Sequence, residues 1–208
     1  MTRIKICGVT RPEDAALAAA LGASAIGVVF WPRSPRCVDV SRARDIIAAL
    51  PPFVIVVGVF VNQPEALDTA RRAGLDAVQL HGDEPPESYR SMPVRVIKAI
   101  GVEGVAAVPA AAAVPAKATV LLDATDPVKR GGTGQCIDWN IAATIARSRR
   151  VILSGGLNAD NVVEAVAAVN PYAIDVSSGV ESAPGKKDPA RLRALFDVLH
   201  ESSLNLGH

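Results

Sequence analysis

The segment VILSGGLNADNVVEAVAAVNPYAIDVSSGVE, residues 151–181, predicts a strand, a glycine turn, a helix and a second strand in that order. Residues 151–154 form an apolar run with the length of a buried strand. Gly155 and Gly156 then allow the backbone to turn sharply, and Asn158 can cap a helix whose valines recur at helical spacing. The second strand runs into Ser-Ser-Gly at residues 177–179.

The same alternation continues through the whole chain and favours a (β/α)8 TIM barrel. Short apolar runs recur about every 24 residues, with helical patterns between them. Most are almost continuously apolar, as strands buried on both faces should be. We expect one domain over residues 1–208. The runs cover residues 3–7, 25–30, 54–60, 76–80, 95–100, 119–123, 151–154 and 173–177.

A doubly wound open sheet is the alternative architecture. That fold usually carries its glycine-rich phosphate turn directly after the first strand. Here the first strand ends at Cys7 and Gly8, and the glycine turns suited to an anion lie near the other end of the chain. The barrel is therefore favoured.

Composition and charge exclude several classes of function. Lys plus Arg is 22 and Asp plus Glu is 21, so the net charge of +1 gives no reason to expect a nucleic-acid partner. No apolar run is long enough to span a bilayer, and no signal-peptide pattern precedes the first strand. Cys7, Cys37 and Cys136 are scattered without metal-ligand spacing. These features predict a reduced, cytoplasmic protein with neither a metal nor a cofactor.

Polar residues predict where several helices begin. The fifth helix is expected to be short or irregular, because residues 101–117 contain Pro109 and Pro115, and an interior proline costs about 3 kcal/mol. Besides Asn158, the residues predicted to cap the start of a helix are Thr10, Ser41, Asn62, Asp138 and Asp188.

The glycine and serine turns after the last two strands predict an anion site. Gly155 and Gly156 follow the seventh strand, and Ser178 and Gly179 follow the eighth. Each turn alone is explained by the general preference of turns for these residues. Two such turns one βα unit apart favour a phosphate site, since these loops commonly hold phosphate in barrels.

Cys7 and Asp123 are the candidate catalytic groups, because active sites of barrels lie where the strands end. Cys7 ends the first strand, and Lys5 lies on the same face; a neighbouring cation would favour the thiolate. A small buried hydrophobe is the alternative role for this cysteine. Asp123 ends the sixth strand and is either a cap or a general acid, and Asp126 competes for the assignment. The glycine-rich loop at residues 129–134 is either a cover for a ligand or an exposed turn.

Further polar residues surround the same predicted barrel mouth. Arg36 follows the second strand in a proline-stiffened loop and can present its guanidinium to a carboxylate. His81 follows the fourth strand and is a weaker candidate. Strand alternation predicts that Lys5, Lys98 and Asp175 point inward, where charges must be paired. Because the first and last strands of a barrel are neighbours, we expect an ion pair between Lys5 and Asp175.

Taken together, these residues predict an enzyme that moves protons on a small phosphorylated molecule. They supply a thiol base, a carboxylic acid and an arginine for a second anionic group. Isomerase or lyase chemistry is the natural class.

Nine sequence blocks also resemble, in order, those of the phosphoribosylanthranilate isomerase family. The resemblance is specific and covers nearly the whole chain except residues 101–117. The blocks are KICG at 5–8, FWPRSPR at 30–36, VGVFVN at 57–62, VQLHG at 78–82, LLD at 121–123, GGTG at 131–134 with DW at 138–139, LSGGL at 153–157, DVSSGVE at 175–181 and PGKKD at 184–188.

The resemblance implies a role for each site residue. It implies the Amadori rearrangement of N-(5-phosphoribosyl)anthranilate in tryptophan biosynthesis, without a metal or other cofactor. Asp123, preferred over Asp126, matches the general acid, and Cys7 matches the general base. Arg36 matches the residue that faces the anthranilate carboxylate. The amides around Gly155 and Gly156, and those around Ser178 and Gly179, match the phosphate-binding turns. His81 is also expected to bind substrate, from its position after the fourth strand rather than from the resemblance.

Three alternative functions would each need a different set of site residues. A sugar-phosphate epimerase would need paired carboxylates or a metal, and an indole-glycerol-phosphate synthase would need a catalytic lysine with a further carboxylate. A catalytically silent barrel that serves as a binding partner would not need Cys7, Arg36 and Asp123 together. The sequence is compatible with a monomer or a homodimer.

Overall fold

The eight strands of the computed structural model close into a parallel barrel in sequential order. The structure describes residues 2–124 and 137–205, with side chains up to residue 202. Asp126, the loop at 129–134 and Cys136 therefore lie outside the described residues. The barrel strands are β1 (Arg3–Ile6), β2 (Ala25–Val29), β3 (Ile55–Phe60), β4 (Ala77–Leu80), β5 (Arg95–Gly101), β6 (Thr119–Asp123), β7 (Val151–Leu153) and β8 (Ala173–Val176).

A helix follows each barrel strand, which confirms the predicted fold class. A small hairpin of β9 (Glu181–Ala183) and β10 (Lys186–Lys187) lies between β8 and the last helix. Two short 3-10 helices occupy Gly104–Ala106 and Ser178–Val180. The α-helices are α1 (Pro12–Ala20), α2 (Val40–Ala48), α3 (Ala66–Ala73), α4 (Pro86–Tyr89), α5 (Ala107–Ala113), α6 (Trp139–Ala146), α7 (Val162–Val169) and α8 (Pro189–Asn205).

Alternation along each strand separates two cores. Outward-facing residues such as Ile4, Ile6 and Ile174 pack against the helices in the large outer core. Inward-facing residues fill the barrel, where Leu121 and Ile152 belong to a separate apolar cluster. Small alanines on the helices let the outer ring approach the strands closely, which fits a chain with few aromatic residues.

The barrel closes where β1 pairs with β8, and this pairing confirms the predicted internal ion pair. Lys5 lies opposite Asp175 in the register, and the Lys5 ammonium is 2.8 Å from the Asp175 carboxylate. Both side chains are buried. A buried charge is tolerated only when it is paired, so this contact fixes the two strands that complete the ring.

Lys98 does not point inward, so that prediction is wrong. It shares the outward face of β5 with Val96, which packs in the outer core. Its ammonium lies 2.8 Å from the carboxylate of Glu84 and 2.5 Å from the carbonyl of Gly82, under the loop that follows β4. An apolar strand buried on both faces shows no alternation of polar and apolar residues, so its sequence does not indicate which side chains point inward.

The predicted helix starts are partly confirmed. Asp138 accepts hydrogen bonds from the first turn of α6, and Asp188 accepts them from the first turn of α8. The prediction for α2 is wrong, because Asp39 rather than Ser41 caps it. The N-cap residues of α1, α3 and α7 lie one, three and three residues after the predicted Thr10, Asn62 and Asn158.

The fifth helix is short, as Pro109 and Pro115 predict. A 3-10 turn leads into α5, which has 7 residues. Pro109 lies in the first turn of α5, where a backbone N–H is not needed, and Pro115 lies beyond its end. The fourth helix, with 4 residues, is shorter still, which the sequence did not indicate. Among the described helices, none combines the length and apolar character needed to cross a membrane.

Candidate active site

The ends of the strands bring the predicted site residues around one cavity. A cavity of about 510 Å³ opens at the C-terminal face of the barrel. Cys7 follows β1, Arg36 lies in the loop after β2, His81 follows β4 and Asp123 ends β6; all four line this cavity. Residues that are 116 positions apart in the chain thus share one solvent-accessible volume.

Cys7 is the thiol at the inner wall of this cavity. It is buried and packs with Val29, Val59 and the partly buried Trp31. Burial raises the pKa of the Cys7 thiol above its ordinary value, Asp175 adds to this increase, and the Lys5 cation opposes it. The neighbouring lysine favours the thiolate, as predicted, but desolvation is the larger effect and sets the direction of the net change.

Lys5 remains charged beneath Cys7. Burial opposes this charge, but the carboxylate of Asp175 outweighs the effect and raises the pKa of Lys5. A second hydrogen bond, of 2.9 Å, joins the Lys5 ammonium to the side-chain oxygen of Gln79 on β4. The floor of the cavity is consequently a fixed cation rather than a proton donor at neutral pH.

Asp123 lies on the opposite side of the cavity from β1 and contacts His81. The Nε2 atom of His81 is 3.2 Å from Oδ2 of Asp123, and the Asp123 side chain is almost fully buried. The same carboxyl group also borders the small cavity between the β7 and β8 loops. Asp123 therefore reaches both the main cavity and the predicted anion site.

Arg36 is held from behind by Glu181. Its Nε and Nη2 atoms donate to the two carboxylate oxygens at 2.9 and 2.6 Å. Burial raises the pKa of Glu181, but its hydrogen bond to Arg36 and the charge of Lys187 outweigh burial, so the pKa lies below its ordinary value. This paired geometry leaves Nη1 as the guanidinium nitrogen that is not committed to Glu181.

Lys187 connects this pair to the strand that carries Cys7. Its ammonium is fully buried and donates to the carbonyl of Cys7 at 2.5 Å, the carbonyl of Ser177 at 3.1 Å and Glu181 at 2.9 Å. Burial lowers the pKa of Lys187, although Glu181 opposes this effect. The hairpin that follows β8 thus anchors the ends of β1 and β8 from outside the barrel.

The two predicted anion turns meet beside Asp123. Gly155, Gly156 and Ser178 line a cavity of about 20 Å³ together with Asp123. Gly155 has a φ of 90°, a left-handed conformation that a side chain would strain. Within the described part of the chain, no hydrogen bond occupies the backbone N–H of Gly156, Ser178 or Gly179. Unpaired amides converging on a small cavity are suited to a phosphate.

Gly179 allows the two turns to touch. A Cβ atom at this position would overlap the carbonyl oxygen of Leu157, in the turn that follows β7. It would also lie 3.0 Å from the Cβ of Asn158. The absence of a side chain at Gly179 therefore sets the distance between the turns.

Several residues of the site were not singled out by sequence reasoning. Gln79, Glu181 and Lys187 are polar and buried, and each contacts a predicted site residue. Gln79 also lines the cavity. Trp31 supplies an apolar wall next to Cys7. Glu181 and Lys187 follow the last barrel strand, and only the hairpin geometry shows that their side chains point toward Arg36 and Cys7. In the described residues, no cluster of His, Cys, Asp and Glu side chains has an arrangement that could hold a metal ion.

Known proteins resemble this chain in both sequence and structure. Residues 4–198 match the model of the family described as N-(5'phosphoribosyl)anthranilate (PRA) isomerase. The N-(5'-phosphoribosyl)anthranilate isomerase of Geobacter metallireducens is 52% identical over 195 residues, covering 93% of this chain and 96% of that protein.

Solved structures agree with this match. Phosphoribosyl anthranilate isomerase from Thermus thermophilus has a TM-score of 0.88 at 45% identity, covering 96% of this chain and 99% of that one. A phosphoribosyl anthranilate isomerase in complex with reduced 1-(o-carboxyphenylamino)-1-deoxyribulose 5-phosphate has a TM-score of 0.86 at 42% identity, covering 97% and 100%.

A third structure shows monomers generated from the dimeric enzyme of Thermotoga maritima, with a TM-score of 0.86 at 40% identity and coverage of 97% and 100%. Each of these similarities extends over nearly the full length of both chains. The chain therefore belongs to the N-(5'-phosphoribosyl)anthranilate isomerase family.

Proposed function

We propose that Cys7 and Asp123 are the base and the acid of the reaction that this family catalyses. The chain is an isomerase of tryptophan biosynthesis, and its reaction is the Amadori rearrangement of N-(5'-phosphoribosyl)anthranilate. The observation that carries the assignment is the shared cavity, which a thiol from β1 and a carboxyl group from β6 border from opposite sides. A sugar held between them presents different atoms to each group.

The reaction begins with ring opening. Asp123 donates a proton to the furanose ring oxygen, the bond between that oxygen and C1′ breaks, and the anthranilate nitrogen forms a Schiff base with C1′. Cys7, as the thiolate, then removes the proton from C2′ to give an enolamine. Tautomerisation moves the enol proton to C1′ and leaves a ketone at C2′, so the product is an isomer of the substrate. Exchange with water then removes the proton from Cys7 and returns one to Asp123, which restores the enzyme. Each group is expected to contribute on the order of 10²–10⁴-fold.

The phosphate and the anthranilate ring are proposed to occupy opposite ends of the site. The unpaired amides of Gly156, Ser178 and Gly179 suit the 5′-phosphate. The anthranilate carboxylate is assigned to Arg36, and the ring to the apolar wall beside Trp31. The compound bound to a family member, reduced 1-(o-carboxyphenylamino)-1-deoxyribulose 5-phosphate, carries both a phosphate and an aromatic carboxylate, which supports this assignment. His81, which lines the cavity, completes the substrate contacts.

The experiment that tests these roles compares turnover with binding. We expect Asp123→Asn and Cys7→Ser to lower kcat by on the order of 10²–10⁴-fold. Binding of the reduced product analogue should remain close to that of the wild type. Asp68→Asn and Cys37→Ser make the same chemical changes at sites outside the cavity and serve as controls. Turnover close to the wild-type value in either test variant would refute its assignment.

We also infer that the chain forms a homodimer through the N-terminal face of the barrel. Phe53 is fully exposed there and borders a cavity of about 800 Å³, with the exposed side chains of Ile55 and Tyr172 on the same rim. A two-fold axis pairs a surface with itself, so Phe53 of one copy can enter the cavity of the other. A relative described as dimeric supports the dimeric state, and the choice of face rests on Phe53 and the cavity beside it.

The oligomeric state is tested by sedimentation. We expect Phe53→Asp to convert a dimer into a monomer that keeps its kcat, because the active site lies at the opposite end of the barrel. Val105→Asp changes another exposed apolar residue, which does not line this cavity, and should leave the dimer intact. A wild-type monomer, or a Phe53→Asp dimer, would contradict the inference.

A phosphorylated biosynthetic substrate and a near-neutral charge support a cytoplasmic enzyme without a nucleic-acid partner.

A further inference from the structure

A continuous line of hydrogen-bonded side chains crosses the interior of the barrel from β1 to β6. The Lys5 ammonium donates to Oε1 of Gln79 at 2.9 Å. The amide nitrogen of Gln79 lies 3.0 Å from Nδ1 of His81, and Nε2 of His81 lies 3.2 Å from Asp123. The line begins at a permanent cation and ends at the proposed acid.

Lys5 fixes the orientation of the Gln79 amide. An ammonium group has only donors, so the group that faces it must accept. Asp175 already accepts a hydrogen bond from the Lys5 ammonium, and both Lys5 and Gln79 are buried. Rotating the amide by half a turn would place two donors face to face and leave a buried cationic proton unpaired, which is strongly unfavourable. Oε1 of Gln79 therefore faces Lys5.

The fixed amide in turn determines which nitrogen of His81 carries the proton. The NH2 group of Gln79 faces Nδ1, so Nδ1 must accept and cannot hold a proton. A neutral imidazole then carries its proton on Nε2, the atom that faces Asp123.

The contact with His81 distinguishes the two oxygens of Asp123. In a protonated carboxyl group, one oxygen is a carbonyl acceptor and the other carries the proton. The N–H of His81 points at Oδ2 and selects it as the acceptor. The proton then resides on Oδ1, which His81 leaves free for the ligand.

We propose that Gln79 is a positioning residue that holds His81 as the neutral Nε2–H tautomer, so that Asp123 delivers its proton from Oδ1 to the ring oxygen of the sugar. The proposal rests on the assignment of Asp123 as the acid. It gives Lys5 and Asp175 a role in catalysis as well as in closing the barrel. In Ser-His-Asp enzymes, loss of the group that fixes the tautomer lowers kcat by about 10⁴-fold while the geometry is kept, which shows that such an effect can be large.

The tautomer can be read directly by ¹⁵N NMR of the imidazole ring. The chain has 3 histidines, and spectra of His200→Gln and His208→Gln variants identify the signals of His81. In the wild type we expect Nε2 to be protonated and Nδ1 unprotonated. Gln79→Glu replaces the donor with a carboxylate, which should draw a proton onto Nδ1. Gln79→Met removes the donor and should give a mixture of tautomers.

Turnover of these variants connects the tautomer with the reaction. We expect both Gln79 variants to lower kcat by on the order of 10²-fold, at the lower end of what a general acid contributes. Binding of the reduced product analogue should change little. Gln63→Glu is the matched control, because the Gln63 amide contacts the backbone of Phe30 and Val61 rather than His81. It should leave the His81 signals unchanged.

Two outcomes would overturn the proposal. One is a protonated Nδ1 in the wild-type enzyme. The other is a Gln79→Glu enzyme that changes the His81 signals yet keeps wild-type kcat, which would show that the tautomer does not matter to the acid. Neither outcome bears on whether Asp123 is the acid, because that assignment is tested separately by Asp123→Asn.

Discussion

Glu181 holds Arg36 by two hydrogen bonds of 2.9 and 2.6 Å, and so presents one edge of the guanidinium to the site. The two residues are 145 positions apart in the chain. Glu181 is itself held by the buried ammonium of Lys187. The residue proposed to bind the anthranilate carboxylate is therefore positioned by a hairpin that follows the last barrel strand.

Substitution of Glu181 should weaken substrate binding more than it slows the chemistry. Glu181→Gln removes one charged partner from Arg36, which can then leave the orientation seen in the structure. We expect KM to rise by about tenfold, since hydrogen bonds to charged groups contribute about 1.5–3 kcal/mol, with a smaller change in kcat. Steady-state kinetics measure both parameters. An unchanged KM would mean that Arg36 does not need this support.

The same pair predicts how stability depends on pH. The pKa of Glu181 is lower in the folded protein than in the unfolded chain, so the carboxylate stabilises the fold above its unfolded value of about 4.3. This contribution is lost as the pH falls through the lower, folded value. Urea unfolding should therefore show a Glu181→Gln deficit at pH 7 that shrinks below about pH 4. A deficit that stays constant with pH would contradict the assignment.

Turnover should increase with pH, because Cys7, the proposed base, must lose its proton to act. Burial and Asp175 raise the pKa of the thiol, so only a small fraction is thiolate at neutral pH. We expect kcat/KM to rise from pH 6 to 8. In Cys7→Asp the base has an ordinary pKa of about 3.9, so the residual activity should lose this rise. The pH profiles of both enzymes test this, and an unchanged rise in the variant would assign it to another group.

Filling the contact between the two anion turns should impair phosphate binding. The Cβ of Gly179→Ala would overlap the backbone of Leu157, so one turn must move away. Loss of one of the proposed amide contacts to the phosphate is expected to raise KM by about 10- to 100-fold. Inorganic phosphate, used as a competitive inhibitor, should also bind the variant more weakly, by a similar factor. Gly74→Ala is the control, because a Cβ at Gly74 meets no neighbouring atom, although its φ of 80° makes a small loss of stability expected.

Breaking the internal ion pair should destabilise the barrel. Lys5→Met leaves the buried carboxylate of Asp175 without its partner, which is expected to cost about 3–5 kcal/mol in the free energy of unfolding. A second change, Asp175→Leu, removes the unpaired charge and should recover part of the loss. Urea unfolding of the two single variants and the double variant measures this coupling. Additive effects would show that the two residues do not interact.

The sequence alone determined the barrel and most of the residues at its mouth. Apolar runs at regular spacing specify strands buried on both faces, and this pattern is local, so it can be read without a structure. The shortened fifth helix followed from Pro109, whose ring excludes an ordinary helix interior. Cys7, Arg36 and Asp123 could be nominated because active sites of barrels lie where the strands end.

Only the tertiary structure decided how these residues are held and charged. Lys98 points outward, and burial raises the pKa of the Cys7 thiol more than Lys5 lowers it, because burial depends on every element packed around a residue. The partners Gln79, Glu181 and Lys187 come from distant parts of the chain, and no local pattern links them to the site. Local spacing specifies the strands, whereas distances between strands set the protons and charges on which the chemistry depends.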